Sequence, residues 1–152
     1  MKSIRIAVVP AKPENELAVR YVREANTLAA ESASTKPWLY GVDINSTVIF
    51  DLDEDRVLVN IDVHAARPRW RRTRGGSWPE NARAGCLMFA RSAVKHKSFN
   101  IPLRLDYDGS AGILHLRIGE PRAHTMAVRL SDRCVALAAD GELLGFVYRG
   151  LS

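Results

Sequence analysis

The chain has 152 residues, 47% of them apolar, with 22 Lys and Arg against 17 Asp and Glu for a formal charge of +5. This is enough apolar material for one core without disulfide or metal staples, and no apolar run approaches the roughly 18 residues of a membrane helix. The positive charge is local: nine basic residues and the single acid Glu80 lie between His64 and Lys97, while the rest of the chain carries 13 basic and 16 acidic residues. Such concentration steers anionic partners better than the same charge spread evenly.

Ile4, Ile6 and Val8 alternate with Arg5 and Ala7, the period of a half-buried strand ended by Pro10 and Pro13. The N-terminus enters this pattern with neither the apolar core nor the cleavage site of a signal peptide, which predicts a cytoplasmic chain. Cys86 and Cys134 then read as reduced, buried thiols. From Glu14 to Ser32, Leu17, Tyr21, Ala25 and Leu28 share one helical face, with Pro13 at the first turn and Glu14 and Glu16 near the positive dipole end. This predicts an amphipathic helix ending in Ser-Ala-Ser-Thr-Lys-Pro.

Three alternating runs follow: Trp38, Tyr40, Val42 and Ile44; Val48, Phe50 and Leu52; then Val57, Val59, Ile61 and Val63 after the acidic turn Asp53-Glu54-Asp55-Arg56. The stretch 64–76 has no apolar period and predicts an exposed loop. Ser77-Trp78-Pro79-Glu80 has the form of a capping box and predicts a second helix to about Lys97, burying Ala82, Cys86, Phe89, Ala90 and Ala93. The last third alternates at Leu103–Tyr107, Leu114–Ile118, Met126–Leu130, Val135–Leu137 and Leu144–Tyr148, with turn residues at each junction and Asp140-Gly141 the strongest of them. This is a β-meander.

The predicted fold is therefore α+β: one domain over 1–152, mainly antiparallel sheet with two helices, subdivided into halves 1–76 and 77–152. Val42–Val63 echoes Val128–Arg149, with Ile44 against Leu130, Ile49 against Val135 and Ile61 against Val147, the pattern of two related hairpin units.

Leu105-Asp106-Tyr107-Asp108, the strand Ile113-Leu114-His115-Leu116-Arg117-Ile118, Val135, and Asp140-Gly141-Glu142-Leu143-Leu144-Gly145 resemble a short bacterial family, domain of unknown function family 2283. The resemblance covers about a third of the chain. It implies a non-catalytic binding module, antitoxin-like in partnering small toxins. Family members often carry Glu where Val147 stands, so no role for that carboxylate carries over.

Val48-Ile49-Phe50-Asp51-Leu52-Asp53 looks like the nucleophile motif of haloacid-dehalogenase-like phosphatases, but Glu54-Asp55-Arg56 follows and the βαβ succession of a parallel sheet is missing. An acidic hairpin turn is the better reading. The most unusual stretch holds Arg67, Arg69, Trp70, Arg71, Arg72 and Arg74. Arginine forks bind phosphate oxygens in pairs, and an exposed Trp70 stacks on a base. The same arginines could instead pair with acids such as Asp43, Asp51 or Asp62 on neighbouring strands while Trp70 covers the sheet edge. His64, His96, His115 and His124 lack zinc-ligand spacing, so neither metal nor cofactor is expected.

Three functions stay open. The first is a non-enzymatic binding protein engaging a protein partner; the second, a nucleic-acid-binding protein using the Arg-rich loop; the third, a small enzyme acting on an acidic substrate with a His acid or base. Exposed sheet edges leave room for β-augmentation or a homo-oligomer.

Overall fold

The computed structural model describes residues 3–151; Met1, Lys2 and Ser152, and with them the first residues of the N-terminal reading, lie outside the described residues. Strands hold 51% of the structure and helical turns 10%, so the fold is mostly β with mixed sheets and not α+β with two helices. Both expected helices are corrected, each for an identifiable reason.

β1 (Ile6–Val9) forms where the alternation predicts it. The first expected helix is instead a hairpin of β2 (Leu17–Val22) and β3 (Thr27–Ser32), paired from Leu17↔Ser32 to Val22↔Thr27. Leu17 and Val19 are buried while Ala18 and Arg20 are exposed, so the residues that fit a helical face also fit a strand face. The β-branched Val19, Val22 and Thr27 favour the extended choice. Asn26 closes the turn at φ 48°, a left-handed conformation that asparagine tolerates unusually well. Pro13 and Glu14 enter a short 3-10 turn, Pro13–Asn15.

β4 (Tyr40–Ile44), β5 (Val48–Leu52) and β6 (Leu58–His64) match the three alternating runs. β5, which carries the motif, is antiparallel to both of its neighbours, which removes the parallel strand end a phosphatase nucleophile needs. Asp53 in the acidic turn is 1% exposed and accepts N–H bonds from Asp55 at 2.8 Å and Val57 at 3.0 Å, so it shapes the turn.

After β7 (Arg71–Arg72), the second expected helix dissolves into an irregular segment, β8 (Arg83–Ala84), β9 (Cys86–Phe89) and a short α1 (Arg91–His96). Gly85 explains the break. A Cβ there would lie 2.9 Å from Val8 Cγ1 and 3.1 Å from Val128 Cγ1, because β9 lies close against β1, pairing Ile6↔Phe89 to Val9↔Cys86. Leu87, which the helical pattern leaves off its apolar face, is fully buried.

β10 (Ser98–Phe99) pairs in parallel with β4 and completes a six-stranded sheet, β10-β4-β5-β6-β3-β2. The last third supplies β11 (Leu103–Asp108), β12 (Ile113–Ile118), β13 (Met126–Ser131), β14 (Cys134–Ala139) and β15 (Glu142–Tyr148), and the expected simple meander is corrected, because β12 pairs with β15 and β13 lies beyond β14. With β7 and β8 at its edges these make a seven-stranded sheet, β7-β11-β12-β15-β14-β13-β8. The chain's two halves exchange edge strands: β7 joins the later sheet and β10 the earlier one. Phe50 sits 5.8 Å from Phe146 and 5.1 Å from Phe89, so the inner faces of both sheets share one apolar core. Among the described residues no helix is long and apolar enough to cross a membrane.

Candidate anion-binding cleft

Pro68 sets a 3-10 turn over Arg67–Arg69, after which Trp70 drops into the core. Trp70 is 3% exposed and its Nε1 donates to the Ala65 carbonyl at 3.1 Å. Its ring meets Tyr21 of β2 edge-on at 5.7 Å and Tyr107 of β11 at 5.3 Å, bridging the two sheets. The exposed stacking ring expected from the sequence is thus corrected: burying a large ring whose one polar atom finds a carbonyl outweighs leaving it in water. The Arg67 guanidinium lies 5.3 to 5.7 Å from the centroids of Tyr21, Trp70 and Tyr107 and donates to Tyr107 Oη at 3.0 Å.

The next two residues add β7 to the edge of β11, in register Arg71 with Asp106 and Arg72 with Tyr107. Arg71 Nε donates to Asp106 Oδ1 at 2.8 Å, and Arg104 Nε and Arg117 Nε donate to Oδ2 at 3.0 and 3.1 Å. Arg104 and Arg117 stand directly opposite on β11 and β12, a like-charge pairing that destabilises a sheet unless a counter-charge intervenes. Asp106 intervenes. Its side chain is 7% exposed, while those of Arg71, Arg104 and Arg117 are 59%, 42% and 34% exposed, so the carboxylate is the floor and the guanidiniums are the walls. Burial pushes the Asp106 carboxyl up, but the Arg117 hydrogen bond and the charges of Arg104 and Arg71 outweigh it and hold the group below its ordinary range.

Arg74 and the segment Thr73–Ser77 close one side of a cleft of about 240 Å³ over this cluster. Gly75 turns at φ 75° and Gly76 N donates to Asp108 Oδ2 at 2.9 Å; a Cβ at Gly76 would come within 2.9 Å of Asp108 Cβ. Three guanidiniums therefore bond one carboxylate, and Arg74 lines the same cleft. Each carries about five N–H donors whereas a carboxylate accepts about four hydrogen bonds, so a large surplus of donors is held in position for a second anion. His115 shares the cleft. Burial, then the Arg117 charge, lower its imidazole to about 4, so it is neutral near neutral pH.

Of the residues singled out in the sequence, Arg71 and Arg74 line the cleft and Arg67 and Trp70 form the seam between sheets. Arg72 lies over Tyr107, its guanidinium 5.3 Å from the ring centroid, and Arg69 is exposed outside the cleft. The acid that meets Arg71 is Asp106, while Asp51 and Asp62 both accept from the Asn60 amide. His64 hydrogen-bonds Thr27 Oγ1 at 2.9 Å and His96 packs on Phe99, both away from the cleft. Sequence reading missed Arg104, Asp106 and Arg117 as a group. A signal existed: the Asp108-Gly109-Ser110 turn registers Arg104 with Arg117 and Asp106 with His115 on one face.

No protein-family model matches this chain, and no curated protein matches it. Among the described residues, no three His, Cys, Asp or Glu side chains gather to hold a metal.

The wall of the cleft depends on Asp108. Ser110 Oγ donates to Oδ1 at 2.7 Å, Gly76 N to Oδ2, and Ser110 N and Ala111 N to Oδ1 at 3.0 and 3.2 Å, lowering the carboxyl to about 2 with the Ser110 hydroxyl as the leading cause. A depressed folded-state value stabilises above the ordinary aspartate value of 3.8 and is lost as pH falls through about 2. The Gly76 amide should therefore lose hydrogen-exchange protection across that acid window. In Asp108→Asn, the Gly76 amide should be less protected already at neutral pH, with the acid-dependent change removed.

Proposed function

We propose that this chain is a non-enzymatic binding protein that seats an acidic group of a protein partner in the cleft of Arg71, Arg74, Arg104 and Arg117. The carrying observation is the donor surplus around Asp106: its carboxylate orients the guanidiniums but satisfies only a minority of their N–H groups. Preoriented forks spend less side-chain entropy on binding than free ones. The local positive charge supports the same reading.

The other two readings have less support. For catalysis by His115 with Asp106, the ring is in its neutral form near neutral pH and so is not a proton donor there, and the carboxylate is engaged by three arginines. Nucleic-acid binding loses its stacking platform with the burial of Trp70.

The test is titration of the chain with a short Glu-rich peptide. Binding should weaken with salt, and Arg104→Ala and Arg117→Ala should each reduce affinity by about tenfold or more, the scale of a lost charge-assisted hydrogen bond. Absence of binding, or binding that ignores both substitutions, overturns the proposal. Tighter, salt-sensitive binding of single-stranded DNA at the same arginines would transfer the cleft to the nucleic-acid reading.

A further inference from the structure

The arginine cleft is lined almost wholly by polar groups; among the described residues Ile113 is its one apolar side chain. Four guanidiniums and a single carboxylate leave the lining with three net positive charges, His115 being neutral near neutral pH. Asp108 is outside the lining, and its carboxylate is filled by donors from Ser110, Ala111 and Gly76. A single carboxylate from a ligand would leave most of this charge unbalanced.

The donors also arrive from different directions. Arg71 reaches Asp106 from β7, Arg117 from β12, and Arg104 from two residues back along β11, and each spends only its Nε there. Among the described residues the Nη groups of these three arginines have no hydrogen-bond partner, so roughly four N–H groups on each stay unspent. Arg74, exposed and not bonded to Asp106, adds a fourth fork from the Thr73–Ser77 side, where Thr73 and Ser77 bring hydroxyl-bearing side chains to the lining. A carboxylate presents two coplanar oxygens and one charge. A phosphate monoester presents three terminal oxygens as a tripod and a charge of about −1.5 to −2 near pH 7, and arginine forks engage such oxygens in pairs.

Resting on the proposed binding function, we infer that the acidic group seated in this cleft is a phosphorylated side chain of the protein partner, a phosphomonoester dianion gripped by β7, β11, β12 and the Thr73–Ser77 segment together. Phosphorylation of the partner then switches its binding on. A phosphodiester is a poorer match: it carries one charge on two free oxygens, and buried Trp70 offers no ring to a neighbouring base.

One otherwise uncharged peptide sequence with Ser, Glu or phosphoserine at its centre tests this by fluorescence anisotropy against the full chain, slightly above neutral pH where the phosphate is a dianion. The phosphoserine peptide should bind about tenfold or more tightly than the Glu peptide, the scale of an added charge-assisted hydrogen bond, and the Ser peptide should bind most weakly. Arg74→Ala removes an exposed side chain with no hydrogen-bond partner among the described residues, so the fold should survive it. It should cut phosphoserine affinity by about tenfold and Glu affinity by less. Inorganic phosphate and an oligothymidylate of similar length should both bind more weakly than the phosphoserine peptide. Equal affinity for the Glu and phosphoserine peptides overturns the phosphate selectivity and leaves acidic binding intact, whereas absence of binding by both overturns both readings. Inorganic phosphate or oligothymidylate binding as tightly as the phosphoserine peptide overturns the partner-borne source of the phosphate.

Discussion

Trp70→Ala should lower the stability of the chain by about 3–5 kcal/mol, the range for removing a large buried aromatic ring. For a chain of this size each kcal/mol moves the thermal midpoint by roughly 2–4 °C, so a drop on the order of 10 °C is expected by calorimetry. The loss has three sources: the ring is 3% exposed, its edge-on contacts join Tyr21 of one sheet to Tyr107 of the other, and its Nε1 holds the Ala65 carbonyl. Its removal also takes one of three rings from the Arg67 guanidinium. Arg69→Ala, one residue away but exposed, should change stability by no more than about 0.5 kcal/mol. A Trp70→Ala variant as stable as Arg69→Ala would mean that the stretch is a free arm after all.

Asp106→Asn should cost about 2 kcal/mol near neutral pH. The substitution keeps the side chain's shape but replaces a carboxylate that accepts three arginine hydrogen bonds with an amide that offers one acceptor and turns an N–H₂ toward donors. Removing one partner of a fully buried ion pair costs about 3–5 kcal/mol; here the arginine side chains are 34–59% exposed and partly screened by water, which reduces the figure. The pH dependence carries a sign. Because the folded-state carboxyl lies below its ordinary value, Asp106 stabilises above the ordinary aspartate value of 3.8 and that contribution is lost as pH falls through the depressed value. Denaturant unfolding at several acidic pH values should therefore show wild type converging on the variant from above. Equal stability at neutral pH would show that the arginines are organised by something else.

The strands were legible where β-branched or apolar residues recur at every second position between turn signals, as in Val57–Val63 and the hairpins from Leu103 to Tyr148, with turns such as Asp140-Gly141 at their ends, even where both faces are buried. Leu17–Leu28 was ambiguous, since apolar residues there satisfy a helical and a strand period together. Cys86–Phe89 reads poorly because Cys86, Leu87 and Phe89 are all buried, leaving no alternation to detect. Half of the cleft was visible as a basic run. The other half was not, because Arg104 and Arg117 are single charges on ordinary strands and acquire meaning only when paired.

By itself the sequence determined that this chain carries its positive charge in one connector and that its last third is a run of hairpins, because charge and turn chemistry are local properties. Tertiary structure alone decided that β7 crosses to the edge of β11, that Trp70 turns inward, and that three arginines from separate strands meet one aspartate. Those outcomes depend on register between strands distant in sequence, where the competing terms are burial of a ring, relief of like charge and closure of a sheet edge, and no local pattern encodes which of them prevails.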